Sequence, residues 1–210
     1  FNIQGYLHTL LEGGMDDPTI NKSYLEKAAK NADRLQTIIE DMEVIARLEA
    51  NMALIEYNHF DIKNLIQDVF DEQDIKAKEK GIRMQFKEGA DGSFMVYADK
   101  ELIRLVLGNL INNSIKYGKQ NGITKVSFYD LGREILVEVT DNGLGIDEHH
   151  IKYLFDRFYR VDKSRSREQG GSGLGLSIVK HIIESHGQRV FVRSTLELGS
   201  TFGFTIRKVI

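Results

Sequence analysis

Four segments of this chain carry polar or glycine-rich signals that a plain hydrophobic core does not need. The first is NLINNSIKYG, residues 109–118. Asn109, Asn112 and Asn113 fall in an otherwise apolar helical pattern, and Asn109 and Asn113, four apart, share a face. Asn is a mediocre helix former, so three of them in five residues lower local stability. A carboxamide oxygen is a good ligand for Mg2+, an ion that needs only one or two protein ligands beside phosphates and water. Lys116 and Tyr117 follow within one turn and offer a phosphate partner and an aromatic face. Helix capping near Gly118 with a solvated lysine accounts for the same residues equally well.

The second segment is DNGLGI, Asp141 to Ile146, directly after a strand-like run. A strand-end Asp can accept from an exocyclic amine such as that of adenine, and Gly143 and Gly145 let the backbone approach a flat base. A plain Asp-Asn-Gly turn is the simpler reading. The third is REQGGSGLGLSIVK, in which Gly170, Gly171, Ser172, Gly173, Leu174 and Gly175 run into a helix. A glycine-rich loop entering a helix N-terminus presents N–H groups to phosphate. It does not follow the first strand of a βαβ unit and lacks Gly-Lys-Ser/Thr, which argues against both a dinucleotide fingerprint and a P-loop. The preceding RFYRVDKSRSREQGG is polar and basic. It reads as a lid over an anion, or as an ordinary solvated loop. The fourth is LELGSTFGFTI, where Gly199 turns the chain and Ser200 and Thr201 offer hydroxyls; alone it is a hairpin.

These segments need a frame. The chain has 210 residues, 41% hydrophobic and 28% charged, as in a water-soluble globular protein. A net charge of −3 gives no electrostatic case for nucleic acid as a partner. The absence of cysteine excludes disulfides and Cys-based zinc sites. No run approaches the roughly 18 apolar residues of a membrane span. Residues 1–12 read as the tail of a helix ended by Gly13-Gly14. Next comes a long helix, capped by Asn21 or Ser23, in which Leu25, Ala28, Ala32, Leu35, Ile39, Met42 and Ala46 step by three and four. Such an a/d seam suits a partner helix or a core within the chain. The composition changes near Ala53. Beyond it, strands are expected at LIEYNHF, IRMQFKE, FMVYA, ITKVSFYD, EILVEVTD, QRVFVRST and STFGFTIRK. Helices are expected after Asp61 and Asp99, near 148–155 and over 174–186. Helices mixed with antiparallel hairpins predict an α+β fold, a two-layer α/β sandwich with a mixed sheet on helices, rather than a doubly wound one.

The order of the four segments resembles the catalytic domain of sensor histidine kinases, within the GHKL-type ATPase superfamily shared with gyrase, heat-shock protein 90 and MutL. NLINNSIKY is similar to the family's N box, DNGLGI to its G1 box, LFDRFYRVD to its F box, GGSGLGLSIVK to its G2 box and GSTFGF to its G3 box. Residues 54–210 then correspond to the ATP-binding domain, and 1–53 to a truncated antiparallel hairpin for dimerisation and phosphotransfer. The resemblance implies ATP and Mg2+ as cofactors, with Asn113 on the metal. It implies Asn109, Lys116 and Arg160 as the catalytic set. Lys116, Tyr117, Asp141, Gly143, Gly145, Ile146, Phe158, Gly171, Ser172, Gly173, Leu174, Gly175 and Thr201 are implied around the nucleotide.

The same resemblance implies a homodimer through the hairpin, and a response regulator receiver domain that takes the phosphoryl group on an Asp. It further implies a cytoplasmic location in a membrane-anchored parent, the membrane segments lying outside this chain. The acceptor His of the family precedes a segment similar to FNIQGYL, so it is expected upstream of Phe1. His8 follows that segment and lacks the accompanying Glu and Pro, which makes it a helix-surface histidine. His59, His149, His150, His181 and His186 show no ligand spacing. Hydrolytic members of the superfamily place a Glu four residues before the Mg-binding Asn, where this chain has Asn109. An amide cannot serve as a base, so phosphoryl transfer is expected here rather than a hydrolytic chaperone or repair ATPase, or a nucleotide-sensing module with a degenerate site.

Overall fold

The computed structural model describes residues 3–49, 55–87, 92–161 and 171–209. Helix α1, Ile3–Thr9, runs into a single π turn, Leu10–Gly14. The break comes at Gly13, whose φ of +117° is costly for any side chain. The chain reverses over 15–20 into α2, Asn21–Glu49, giving the antiparallel hairpin. Tyr6 meets Tyr24 edge to face at 5.3 Å, and Leu10 is buried.

The C-terminal domain begins with a two-stranded antiparallel ribbon of β1, Tyr57–Asp61, and β3, Met95–Asp99. Each strand ends in an Asp that caps the next helix. Asp61 accepts from Lys63 N at 2.9 Å to open α3, Ile62–Glu79. Asp99 accepts from Glu101 N and Leu102 N, both at 3.1 Å, to open α4, Lys100–Tyr117. Each cap contributes about 1 kcal/mol. The expected strand LIEYNHF starts only at Tyr57, and the expected domain boundary near residue 53 lies outside the described residues.

The main sheet is mixed, in the order β2-β4-β5-β7-β6. It comprises β2, Arg83–Phe86; β4, Ile123–Asp130; β5, Glu134–Asp141; β6, Val190–Thr195; and β7, Gly199–Arg207. Among the described residues only β2 and β4 pair in parallel. Among the described residues the remaining helices are α5, Glu148–Ile151, and α6, Gly175–Ser185, each shorter than its sequence pattern suggested. Helices α3, α4 and α6 cover one sheet face. Val126, Val137, Val139, Phe202, Phe204 and Ile206 meet Ile103, Leu107, Leu110, Ile111, Ile178 and Ile182 there, all buried. Burial of this order, about 1.5–3 kcal/mol per large apolar side chain, drives the two layers together. This two-layer arrangement agrees with the α+β expectation.

Alternation along β5 sets the position of the first site residue. Val137 and Val139 point to the helices, so Asp141 does too, at the end of the strand and opposite the C-terminal turns of α4.

Candidate functional site

Asp141 is buried at 8% exposure. Its Oδ1 accepts from Gly143 N at 2.8 Å and from Ser200 N at 3.3 Å. Burial raises its pKa above the ordinary carboxylate range, against the opposing pull of the two N–H donors and Lys80. The glycines around it are required by packing. A Cβ on Gly143 would lie 2.3 Å from the Tyr117 carbonyl, and one on Gly145, with φ +66°, 2.0 Å from the Thr195 carbonyl. Ile146 N donates to Ser194 Oγ at 2.8 Å, and Ser194 and Ser200 hydroxyls lie 2.9 Å apart. This end of the site is a rigid, nearly Cβ-free cradle with one buried carboxylate.

The other end is cationic. Along α4, Asn109 and Asn113 share a face that leads to Lys116 and Tyr117. Asn109 Nδ2 donates to Leu105 O at 2.9 Å, and its Oδ1 lies where a side chain on Gly175 would be, 2.5 Å from that Cβ position. Lys116 Nζ sits 5.1 Å from the Tyr117 ring centroid and 2.6 Å from the Cβ position of Gly171. Its pKa is lowered to about 8, chiefly by burial and then by the charges of Arg160 and Arg34. Burial also raises the Tyr117 phenol. Arg160 Nη1 donates to the Gly171 carbonyl at 3.0 Å. Gly171 and Gly173 adopt φ of +117° and +77°, and Phe158 N donates to Gly173 O at 3.0 Å, with Phe158 itself at φ +61°. Leu174 N donates to Ser172 Oγ at 3.1 Å, and α6 then starts at Gly175 without a side-chain cap on its first N–H groups. The expected lid over 157–171 falls largely outside the described residues, as does Gly170.

One expected residue is displaced. Thr201 pairs with Thr140, hydroxyl to hydroxyl at 3.0 Å, on the sheet face turned away from Asp141. Its neighbour Ser200 takes the inward place. Side chains alternate along a strand, so a reading one residue off flips the face. Two groups had no signal in the motifs. Lys80 Nζ donates to the carbonyls of Ile115 and Lys116 at 2.9 and 2.6 Å, closing the negative end of α4 from another helix. Along α2, Arg34, Ile38, Asp41, Ile45 and Leu48 form a second stripe, one residue before the apolar seam, and it faces this domain. Ile45 and Leu48 are buried there, and Arg34 Nη2 reaches the Gly171 carbonyl at 3.1 Å. Ser172 donates to Asp41 at 2.7 Å, and Arg157 pairs with Glu49. The 34/38/41/45/48 spacing was present in the sequence, hidden by the stronger seam beside it. His8 is exposed on α1, and His186 is structural, accepting from Asp99 N at 3.1 Å.

Among the described residues no group of three or more His, Asp or Glu could hold a metal ion. Asn113, on the same face of α4 as Asn109, carries an amide oxygen of the kind that can hold Mg2+ beside phosphates and water. Among the described residues, no helix is long and apolar enough to cross a membrane.

Comparison with known proteins agrees with this geometry. Residues 98–210 match the family described as "Histidine kinase-, DNA gyrase B-, and HSP90-like ATPase", and residues 2–51 match the "His Kinase A (phospho-acceptor) domain". The signal transduction histidine-protein kinase ArlS of Staphylococcus haemolyticus is 29% identical over 209 residues, covering 95% of this chain and 44% of its own length. The catalytic domain of histidine kinase ThkA superposes with a TM-score of 0.63 at 30% identity, covering 73% of this chain and 96% of that domain. ThkA solved in complex with response regulator protein TrrA gives a TM-score of 0.76 at 26% identity, covering 99% of this chain and 57% of that one. The chain spans only 32–48% of the length of curated relatives such as these. With both family matches in chain order and the N, G1, F, G2 and G3 segments gathered at one edge of the sandwich, the chain belongs to the sensor histidine kinases.

Proposed function

We propose that this chain binds Mg-ATP between α4, the turn after β5 and the glycine loop before α6, and that the site hands the γ-phosphoryl group to a histidine for relay to a response regulator Asp. The observation that carries the reading is Asp141, a buried carboxylate held by two backbone N–H groups beside two glycines that leave no room for a side chain. Its roles follow from its chemistry. The Asp141 carboxylate accepts from the adenine amine, and Gly143 and Gly145 let the ring lie against backbone. Asn113 would hold Mg2+, which neutralises phosphate charge. Lys116, Arg160 and the uncapped start of α6 stabilise the negative charge of the phosphates, and phosphoryl transfer rests mainly on such positioning and charge neutralisation.

Transfer is favoured over hydrolysis by Asn109. Its amide is bonded back to its own helix and cannot take a proton from water. The seam residues Leu25, Leu35, Ile39 and Met42, 39–52% exposed, supply an apolar face for the same helix of a second copy, in keeping with a homodimer. The test is calorimetric titration with Mg-ATP, then radiolabelled ATP with the full-length kinase. Binding by the wild-type chain, its loss in Asp141→Ala, and an acid-labile, base-stable label are expected. No binding, or an acid-stable label, overturns the reading.

A further inference from the structure

We propose that α2 supplies a cation to the phosphate end of the nucleotide site, Arg34, and that the Asp41–Ser172 hydrogen bond holds the glycine loop against it, so that nucleotide binding and hairpin docking are coupled. The proposal rests on the ATP reading above.

Three observations converge. The Gly171 carbonyl accepts from two guanidinium groups, Arg160 at 3.0 Å and Arg34 at 3.1 Å, one from each domain. Lys116 Nζ reaches the same residue from α4, close to where its Cβ would be. Their fields overlap, since Arg34 depresses both Lys116 and Arg160. An anion placed among three such cations is stabilised by all of them, and Arg suits phosphate because its fork donates two N–H groups in one plane.

The second observation is the fixing of the glycine loop. Ser172 Oγ donates to Asp41 at 2.7 Å and accepts from Leu174 N at 3.1 Å, so the hydroxyl ties α2 to the residue that leads into α6. Asp41 is drawn out of water there, and burial raises its pKa despite that hydrogen bond. The third is the geometry of α2. Arg34 and Asp41 are seven apart, two turns on one face, in line with the buried Ile45 and Leu48 and with Glu49 on Arg157. The apolar end of the stripe sets the helix, and the polar end delivers Arg34. Coupling of this kind is reciprocal: if docking helps phosphate binding, phosphate helps docking by the same factor.

The 210-residue chain is titrated with Mg-ATP, ADP and adenosine by calorimetry. Arg34→Ala should weaken ATP about tenfold, with a smaller loss for ADP and none for adenosine. Arg34→Lys should recover part of the ATP affinity, and Asp41→Ala should fall between it and Arg34→Ala. In hydrogen exchange, ATP should slow the Arg34–Leu48 stretch of α2 in the wild type and not in Arg34→Ala. Equal ATP binding by wild type and Arg34→Ala, equal losses for adenosine and ATP, or ATP-induced protection that survives Arg34→Ala each overturns the proposal. If the wild type binds no ATP, the nucleotide reading fails first and this proposal with it. If the wild type binds and Arg34→Ala binds equally well, only the proposal fails.

Discussion

Replacing Asp141 by Asn separates what this residue does for the fold from what it does for the ligand. Its carboxyl titrates above the ordinary range because burial outweighs Gly143 N–H, Ser200 N–H and Lys80. A folded-state pKa that is raised means the folded chain holds a proton the unfolded chain has released. Between the ordinary and the raised value, stability therefore falls as pH rises, and at neutral pH the charge is a net burden on the fold. Asn keeps the shape and an oxygen that can accept from Gly143 N, now 2.8 Å away, while removing the charge. The melting temperature without nucleotide should therefore hold or rise. The ligand sees the opposite. A charged acceptor on the adenine amine is worth about 1.5–3 kcal/mol, and an Asn whose one oxygen stays on Gly143 N turns its Nδ2–H donors toward that amine, so Asn should lose at least this much, about 10–150-fold in Kd. Asp141→Ala forfeits the whole bond, about 10–150-fold. Thermal melts without nucleotide and Mg-ATP calorimetry test both signs at once. An Asn variant that melts several degrees lower yet binds ATP normally would refute the reasoning and make Asp141 a turn-former.

Lys116, with a pKa near 8, should lose its charge as pH rises past that value. ATP affinity should be level from about pH 6.5 to 7.5 and about tenfold weaker at pH 9, with proton uptake on binding near pH 8; Lys116→Arg should flatten the profile. Asn113→Ala should abolish the gain in ATP affinity that Mg2+ gives the wild type, leaving the value measured in EDTA unchanged. Gly143→Ala and Gly145→Ala should each destabilise by at least about 2 kcal/mol in urea unfolding, because their Cβ atoms would meet carbonyls at 2.3 and 2.0 Å. Gly132→Ala, with open space around it, should cost only about 1 kcal/mol. On α2, Ile39→Glu should lower dimer content in sedimentation and leave ATP affinity alone, since Ile39 is half exposed. Ile45→Glu should do the reverse, because Ile45 is packed on the nucleotide-binding domain.

The fold was legible where local chemistry and tertiary packing agree. Asp61 and Asp99 read as helix caps in the sequence and cap helices in the structure, and β4 and β5 occupy the expected runs. The residues of the glycine-bearing segments could be read for the same reason: a Cβ at Gly143, Gly145 or Gly199 has nowhere to go, so the need is written into residue type. Choices between adjacent polar residues were not legible. Ser200 and Thr201 offer equal hydroxyls, and only strand register decides that Ser200 faces Asp141. Long-range placement was equally silent. Nothing local marks Lys80 as the group that closes α4, 35 residues away in sequence at Ile115. Arg34 and Asp41 look like solvated positions beside a seam until α2 is set against α6.

The two ends of the site are built from different physics. The base end is fixed by exclusion: buried carboxylate, backbone carbonyls at contact distance and positive-φ glycines, all within one domain, none of which can shift without a clash. The proposed phosphate end is assembled by convergence, from Lys116 on α4, Arg160 after α5 and Arg34 on α2, around a glycine loop held by hydrogen bonds rather than by packing. Long cationic side chains on separate elements move at low cost, and their mutual repulsion resists close assembly. It follows that the base end should be ordered with or without nucleotide, whereas the order of the phosphate end depends on the anion it gathers. A site divided in this way could keep its nucleotide by the base while the phosphate end responds to the position of the hairpin through the proposed Arg34 and Asp41 contacts.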